Sequence, residues 1–129
     1  MAALIEEYYT DVQEGSPLII NSNLILEGHE DGTFTSYSES SGENSLSFTK
    51  DADGKLILEV HGNVIIDGDF QIGGKDWWPK SVNITYYTGN GIIYTTGDIK
   101  TFTELIPLNI EDFPENTLLV FVSNGRIEF

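Results

Sequence analysis

The spacing of apolar residues beyond Pro17 constrains the fold of this chain more than any other feature. Apolar residues come in short runs, and glycine, asparagine or aspartate separates most runs from the next. Strands of about five residues with such turns between them are typical of β-sandwiches, β-barrels and β-solenoids. The sequence therefore predicts a mostly-β fold, with strands over 18–20, 24–26, 46–48, 56–60, 64–66, 70–72, 82–86, 91–95, 99–102 and 118–122.

A repeated three-residue step favours the β-solenoid among these folds. In stacked rungs, a glycine would take a positive-φ corner, the next polar side chain would cap the bend, and an apolar residue would re-enter the core. We therefore predict a right-handed β-solenoid (β-helix). The interval from the first copy to the second is longer than that from the second to the third, so a β-sandwich stays open as the alternative. The copies are Gly62-Asn63-Val64, Gly97-Asp98-Ile99 and Gly125-Arg126-Ile127, with a further step at Gly68-Asp69-Phe70.

The first segment has a different period. Its apolar residues recur at helical spacing, and Gly15-Ser16-Pro17 then supplies a helix stop. The pattern predicts an amphipathic helix over residues 3–14 that caps the end of the β stack, with β rungs over 18–129. The apolar stripe of this helix consists of Leu4, Ile5, Tyr8, Tyr9 and Val12.

The length and the charge bound the domain count and the partners. A chain of 129 residues fits one domain, 1–129, and the strand-like segment at 126–129 also suits an excised part of a longer protein. The net charge of −15 repels phosphate groups, so we expect neither nucleic acid nor an anionic membrane as a partner. No apolar run approaches the roughly 20 residues of a membrane span.

No pattern in the sequence predicts catalytic, cofactor-binding or metal-binding residues. The absence of cysteine excludes disulfides and thiolate ligands. Asp51-Ala52-Asp53-Gly54 opens like a calcium loop, but Lys55 and Gly62 stand where an EF-hand needs oxygen ligands. We interpret this segment as a hairpin turn. His29 and His61 lie beside glycines at separate predicted turns, and nothing suggests that they converge.

Aromatic residues are the candidate surface contacts. Adjacent side chains of a strand point to opposite faces, so Trp77 and Trp78 cannot both face one core. Together with Tyr86, Tyr87 and Tyr94 they could contact a protein partner or another copy of the chain. The alternative is a carbohydrate-binding or carbohydrate-active β-solenoid domain, in which the same rings bind a glycan.

Two segments carry a resemblance to a known family. Residues 91–99 read Gly-Ile-Ile-Tyr-Thr-Thr-Gly-Asp-Ile. Residues 113–116 read Phe-Pro-Glu-Asn, and an apolar strand then leads into the Gly-Arg-Ile step at 125–127. Over residues 55–129 the chain resembles the β-helical domain of bacterial type IV pilus assembly proteins and related polymer-forming cell-surface proteins. The resemblance implies a non-enzymatic structural component of the cell envelope or extracellular space that packs against protein partners or itself.

Overall fold

The computed structural model describes residues 17–74, 82–109, 111 and 118–128, and within them the chain forms twelve β-strands and no α-helix. The mostly-β class is therefore confirmed, while the predicted helix over 3–14 lies outside the described residues. The strands are β1 (Leu18–Ile20), β2 (Leu24–Leu26), β3 (Tyr37–Ser41), β4 (Asn44–Lys50), β5 (Leu56–Ile66), β6 (Phe70–Ile72), β7 (Ile84–Thr88), β8 (Asn90–Thr95), β9 (Ile99–Thr101), β10 (Glu104–Pro107), β11 (Leu118–Ser123) and β12 (Ile127–Glu128).

The strands pair in three groups, which we call sheets I, II and III. Sheet I has the order β10-β7-β5-β4-β3, sheet II the order β1-β5-β8-β11, and sheet III the order β2-β6-β9-β12. All pairs in sheets II and III are parallel, whereas β3, β4 and β5 form an antiparallel meander. Sheets I and II share β5, whose first half pairs with β7 and whose second half pairs with β8.

The long strand β5 changes sheets at Gly62. Gly62 has a φ of +71°, a left-handed conformation that glycine adopts at little cost. Next to β5, Gly89 has a φ of +88° and separates β7 from β8. Gly62 pairs with Gly91, so the two bends lie two positions apart in register and together form the corner between sheets I and II. The prediction of a positive φ is confirmed at Gly62 and at Gly68 (φ +153°), and it is wrong at Gly97 and Gly125.

A ladder of side-chain hydrogen bonds runs along the corner between sheets II and III. The backbone N–H of Asp69 donates to Oδ1 of Asn23 (2.9 Å), and that of Asp98 donates to Oδ1 of Asp69 (2.8 Å). The N–H of Arg126 donates to Oδ1 of Asp98 (2.8 Å). These partners are 46, 29 and 28 positions apart in sequence, and the first interval is longer because it contains the β3–β4 hairpin. We call this row the Asx ladder.

The Asx ladder corrects the predicted repeat. Gly68, Gly97 and Gly125 occupy equivalent positions, because the residues two places further on pair along sheet III. Gly62 lies at the other corner, which is why the interval from Gly62 made the period irregular. Gly97 and Gly125 do not have positive φ. They are glycines because a Cβ would collide with the carboxylates of Asp69 and Asp98 and would approach the backbone oxygens of Gly68 (2.9 Å) and Gly97 (3.0 Å).

The core lies between the inner faces of the three sheets. Alternate residues of each strand point inward, and parallel in-register pairing places them in columns, such as Leu18, Val64, Ile93 and Phe121. Buried hydroxyl groups near the later rungs bond to the backbone: Oγ1 of Thr95 donates to the carbonyl of Gly97 (3.0 Å). The largest fully buried side chains of the core are Leu26, Leu46, Phe48, Leu58, Val60, Val64, Ile66, Phe70, Ile72, Ile93 and Ile99.

The predicted hairpin turn between β4 and β5 is present. Oδ1 of Asp51 accepts hydrogen bonds from the N–H groups of Asp53 and Lys55, both at 2.9 Å, and Gly54 takes a φ of +83°. This carboxylate is therefore part of an Asx turn that connects the two strands. β3 lies in the polar stretch 29–44, for which the sequence favours an exposed hairpin over a long loop, whereas strand β10 was not predicted.

Candidate interaction site

A polar cleft lies on the outside of the corner between sheets I and II, and we call it the corner cleft. Asn44, at the start of β4, connects the β3–β4 hairpin to the bend in β5. Its Oδ1 accepts a hydrogen bond from the N–H of Asn63 (2.9 Å), and its Nδ2 donates to the carbonyl of Ser41 (3.2 Å). The cleft is lined by Ser41, Gly42, Glu43, Asn44, His61, Gly62, Asn63 and Asn90.

A histidine–glutamate pair lies beside the corner cleft. Nε2 of His61 and Oε2 of Glu59 are 2.6 Å apart on the outer face of β5, and about half of each side chain is exposed. A polar contact this exposed contributes little to stability. Ser45 lies directly opposite His61 across β4 and β5, but within the described residues no hydrogen bond links them. Without that hydrogen bond, the three side chains do not form the relay of a serine hydrolase.

An apolar groove adjoins the corner cleft on the outer face of sheet II, and we call it the edge groove. Leu118 and Val120 point outward from β11 and are 42% and 37% exposed. β11 is the last strand of sheet II in the part of the chain that the structure describes. The groove shares Asn63 and Asn90 with the corner cleft, so the two surfaces are continuous. Its lining consists of Gly62, Asn63, Asn90, Gly91, Ile92, Leu118 and Val120.

β10, β11 and β12 are the last strands of sheets I, II and III within the described residues, and we call them the last rung. They are also less covered on the inner side. Ile127 of β12 is 40% exposed, although it is in register with Ile99, which is fully buried one rung earlier. Leu119 and Phe121 of β11 pack against the core but are only partly buried. Among the described residues, β10, β11 and β12 therefore lie at the ends of their sheets and present partly exposed apolar side chains.

The structure places the three predicted tyrosines on different surfaces. Tyr86 is half-buried on the outer face of sheet I, with the ammonium of Lys55 5.2 Å from its ring centre. Tyr87 points inward, packs against the core, and has its pKa raised by burial. Tyr94 lies on the outer face of sheet II and is only 3% exposed. Trp77 and Trp78 lie outside the described residues, so their contact role stays a prediction.

The acidic and histidine side chains of the described residues do not form a metal centre. No group of three or more histidine, aspartate or glutamate side chains in these segments is arranged to hold a metal ion. The second histidine, His29, contacts its own neighbour Glu27, with Nε2 and Oε2 3.5 Å apart. The hydroxyl of Thr33 donates to Asp31 (2.6 Å) and holds the pKa of that carboxyl below its usual value.

Sequence reasoning missed the edge groove. The only signal was the run Leu-Leu-Val-Phe-Val at 118–122, which is apolar on both faces of the strand. Such a run is typical of a strand covered on both sides, so the pattern did not indicate an exposed face.

No helix within the described residues is long and apolar enough to cross a membrane. Comparison of the chain with protein-family models, curated proteins and solved structures finds no match.

Proposed function

We propose that this chain is a non-enzymatic interaction module built on a β-solenoid. The order of the strands supports the solenoid: from β5 onward the chain passes sheets I, II and III in turn, and it does so three times. The constant direction of pairing in sheets II and III and the Asx ladder support the same arrangement. Right-handed winding is the usual hand of a parallel crossover.

The last rung is the proposed contact surface, and the exposure of its apolar residues is the observation that carries the proposal. An edge strand whose outer side chains are apolar is a template for strand addition, in which a partner strand bonds to the edge and places side chains in adjacent pockets. β11 combines such an edge with the edge groove formed around Leu118 and Val120. The adjacent corner cleft supplies amide groups for polar contacts at the rim.

The proposed partner is an extended segment of a positively charged protein. The chain carries 21 acidic and 6 basic residues, so attraction at long range favours a basic partner and opposes a second copy. The Asx ladder also ends at Arg126. The arginine side chain has no hydrogen-bond acceptor, so it could not bond to the backbone N–H of a second copy stacked on this rung. The resemblance to pilus assembly and polymer-forming surface proteins supports a cell-envelope or extracellular setting.

Selection of peptides displayed on phage tests this proposal. The full-length chain serves as bait, and selected peptides are titrated against it and against two variants. Val120→Lys places a charge in the edge groove, whereas Ile25→Lys, the matched control, changes a residue that is 50% exposed on β2. We expect β-prone basic peptides that bind Val120→Lys at least tenfold more weakly and Ile25→Lys with unchanged affinity. Peptides that bind all three proteins equally would contradict a docking site at β11.

The corner cleft favours glycan binding as a second candidate function. Amide, carboxylate and imidazole groups from Asn44, Asn63, Asn90, Glu59 and His61 lie close together there, and such planar polar groups bind sugar hydroxyls. Titration of the chain with an oligosaccharide panel tests this candidate. Binding that Asn90→Ala weakens and Ile25→Ala leaves unchanged would support it, and the absence of binding at millimolar sugar would exclude it.

A further inference from the structure

One position at the corner between sheets II and III is a glycine wherever another strand comes before it. A Cβ at Gly97 would lie 2.9 Å from the carbonyl oxygen of Gly68, and a Cβ at Gly125 would lie 3.0 Å from that of Gly97. Serine stands only at Ser22, on the side where β2 has no neighbour among the described residues. The equivalent residues are Ser22, Gly68, Gly97 and Gly125, which stand two places before Leu24, Phe70, Ile99 and Ile127.

The Asx ladder has a matching exception at its other end. The N–H groups of Asp69, Asp98 and Arg126 each donate to Oδ1 of the residue at the same position on the strand before. Asn23 is first in this row, so in the same geometry its N–H would need an acceptor from a preceding strand. Arg126 is last, and its 80% exposed side chain has no acceptor to offer. Each end of the row therefore carries one residue that does not fit a continuation.

The two ends are complementary in their other side chains. If a second copy continued the register, its Leu18 would follow Phe121 in the apolar column of sheet II, and its Leu24 would follow Ile127 in sheet III. Ile127 at the last rung is 40% exposed, and Ile19 on β1 is 44% exposed. Burial of such side chains favours association. A head-to-tail contact of this kind does not close on itself, so it would produce filaments.

We propose that Ser22 and Arg126 prevent end-to-end stacking of this chain and so keep the last rung open to a different partner. By equivalence with Gly97, the Cβ of Ser22 in one copy would press against the carbonyl oxygen of Gly125 in the other. The N–H of Asn23 would meet Arg126 and lose its acceptor, and a buried donor without an acceptor opposes association. The proposal rests on the stacked arrangement of the proposed function.

Self-association of full-length variants tests the proposal. Ser22→Gly/Arg126→Asn removes the Cβ and supplies the same amide oxygen that Asn23 supplies to Asp69. Ser22→Ala/Arg126→Asn is a control that keeps a Cβ, and Ser22→Gly/Arg126→Ala is a control with the same charge change but no acceptor. Molar mass is measured by light scattering over a range of protein concentrations. At about 1 M salt the Debye length is about 3 Å, which screens the repulsion between the acidic chains.

We expect Ser22→Gly/Arg126→Asn to form oligomers whose mass grows with concentration, while the parent stays monomeric. Each control should need a concentration about tenfold higher or more for the same mass, because each lacks one of the two features. Self-association of the parent, equal association of the controls, or a monomeric Ser22→Gly/Arg126→Asn would overturn the proposal. Overhauser contacts from Val64 to Ile93 and from Ile93 to Phe121 separate two causes of failure. A monomeric variant that keeps them refutes only the roles of Ser22 and Arg126, whereas their absence from the parent also refutes the stacked arrangement.

Discussion

Gly97→Ala is predicted to destabilise the protein by about 2 kcal/mol through the Asx ladder. The new Cβ would collide with Oδ1 of Asp69 and lie 2.9 Å from the carbonyl oxygen of Gly68, closer than real Cβ atoms come. Asp69 must then release the N–H of Asp98, now bonded at 2.8 Å. A hydrogen bond to a charged group contributes about 1.5–3 kcal/mol, and we take the lower figure because this one is exposed.

The remaining terms in this estimate partly cancel. Crowding against the Gly68 carbonyl adds about 1 kcal/mol, the low end for overpacking. Replacing glycine by alanine restricts the unfolded chain and returns about 0.4–1 kcal/mol. Left-handed backbone strain does not contribute, since φ at Gly97 is not positive. The net loss is therefore about 2 kcal/mol, measurable as a lower urea midpoint with an unchanged slope.

A double-mutant cycle with Asp69→Ala separates the ladder from general crowding. Both substitutions remove the same hydrogen bond, so their combined cost should be at least about 1 kcal/mol less than the sum of the two. Gly42→Ala is the control for additivity: a Cβ at Gly42 meets nothing within 4 Å, so its cost comes from the left-handed backbone (φ +60°) and not from the ladder. Its cost should add to that of Asp69→Ala. Additive costs of Gly97→Ala and Asp69→Ala, within about 0.5 kcal/mol, would refute the reasoning.

Three further predictions follow from other parts of the fold. Asp98→Asn keeps the acceptor for the N–H of Arg126 and should change the free energy of unfolding by less than about 0.5 kcal/mol. Asp98→Ala removes that acceptor and should cost about 1–2 kcal/mol, measured by urea unfolding. Equal losses for the two variants would contradict the ladder. Leu58→Ala should cost about 2–5 kcal/mol because Leu58 is fully buried, against less than about 0.5 kcal/mol for Ile25→Ala. Burial raises the pKa of Tyr87 in the folded state, so its contribution to stability is complete below the unfolded pKa of about 10 and is lost as pH rises through the folded value. Urea midpoints measured between pH 8 and 11 should therefore fall less steeply with pH for Tyr87→Phe than for the parent. Burial also raises the pKa of Tyr37, so Tyr37 accounts for part of the slope that remains. Identical slopes for the two proteins would exclude the Tyr87 contribution.

The sequence predicted the strands well because most of them follow one local rule. Runs such as 18–20, 64–66 and 99–101 carry inward apolar residues between turn residues, and this pattern needs no knowledge of the neighbours. β10 was missed because its residues, Glu-Leu-Ile-Pro, end in a proline and lack alternation.

The equivalence of the corners could not be predicted from one chain. Gly62 and Gly97 look alike in sequence, but one permits a left-handed bend and the other makes room for the carboxylate of Asp69. Only the register along sheet III distinguishes them. The candidate site could not be predicted either, because it depends on the order of the strands in the sheet. The edge groove forms where a strand of sheet II has no neighbour on one side within the described residues.

The stacking of rungs is the central claim, and the pattern of Overhauser contacts between strands tests it most directly. A β-solenoid predicts parallel contacts that connect Leu18 to Val64, Val64 to Ile93 and Ile93 to Phe121 in that order. A β-sandwich would instead show antiparallel contacts among β5, β8 and β11. The first pattern is the expected result, and the second would contradict both the solenoid and the docking surface placed on its last rung.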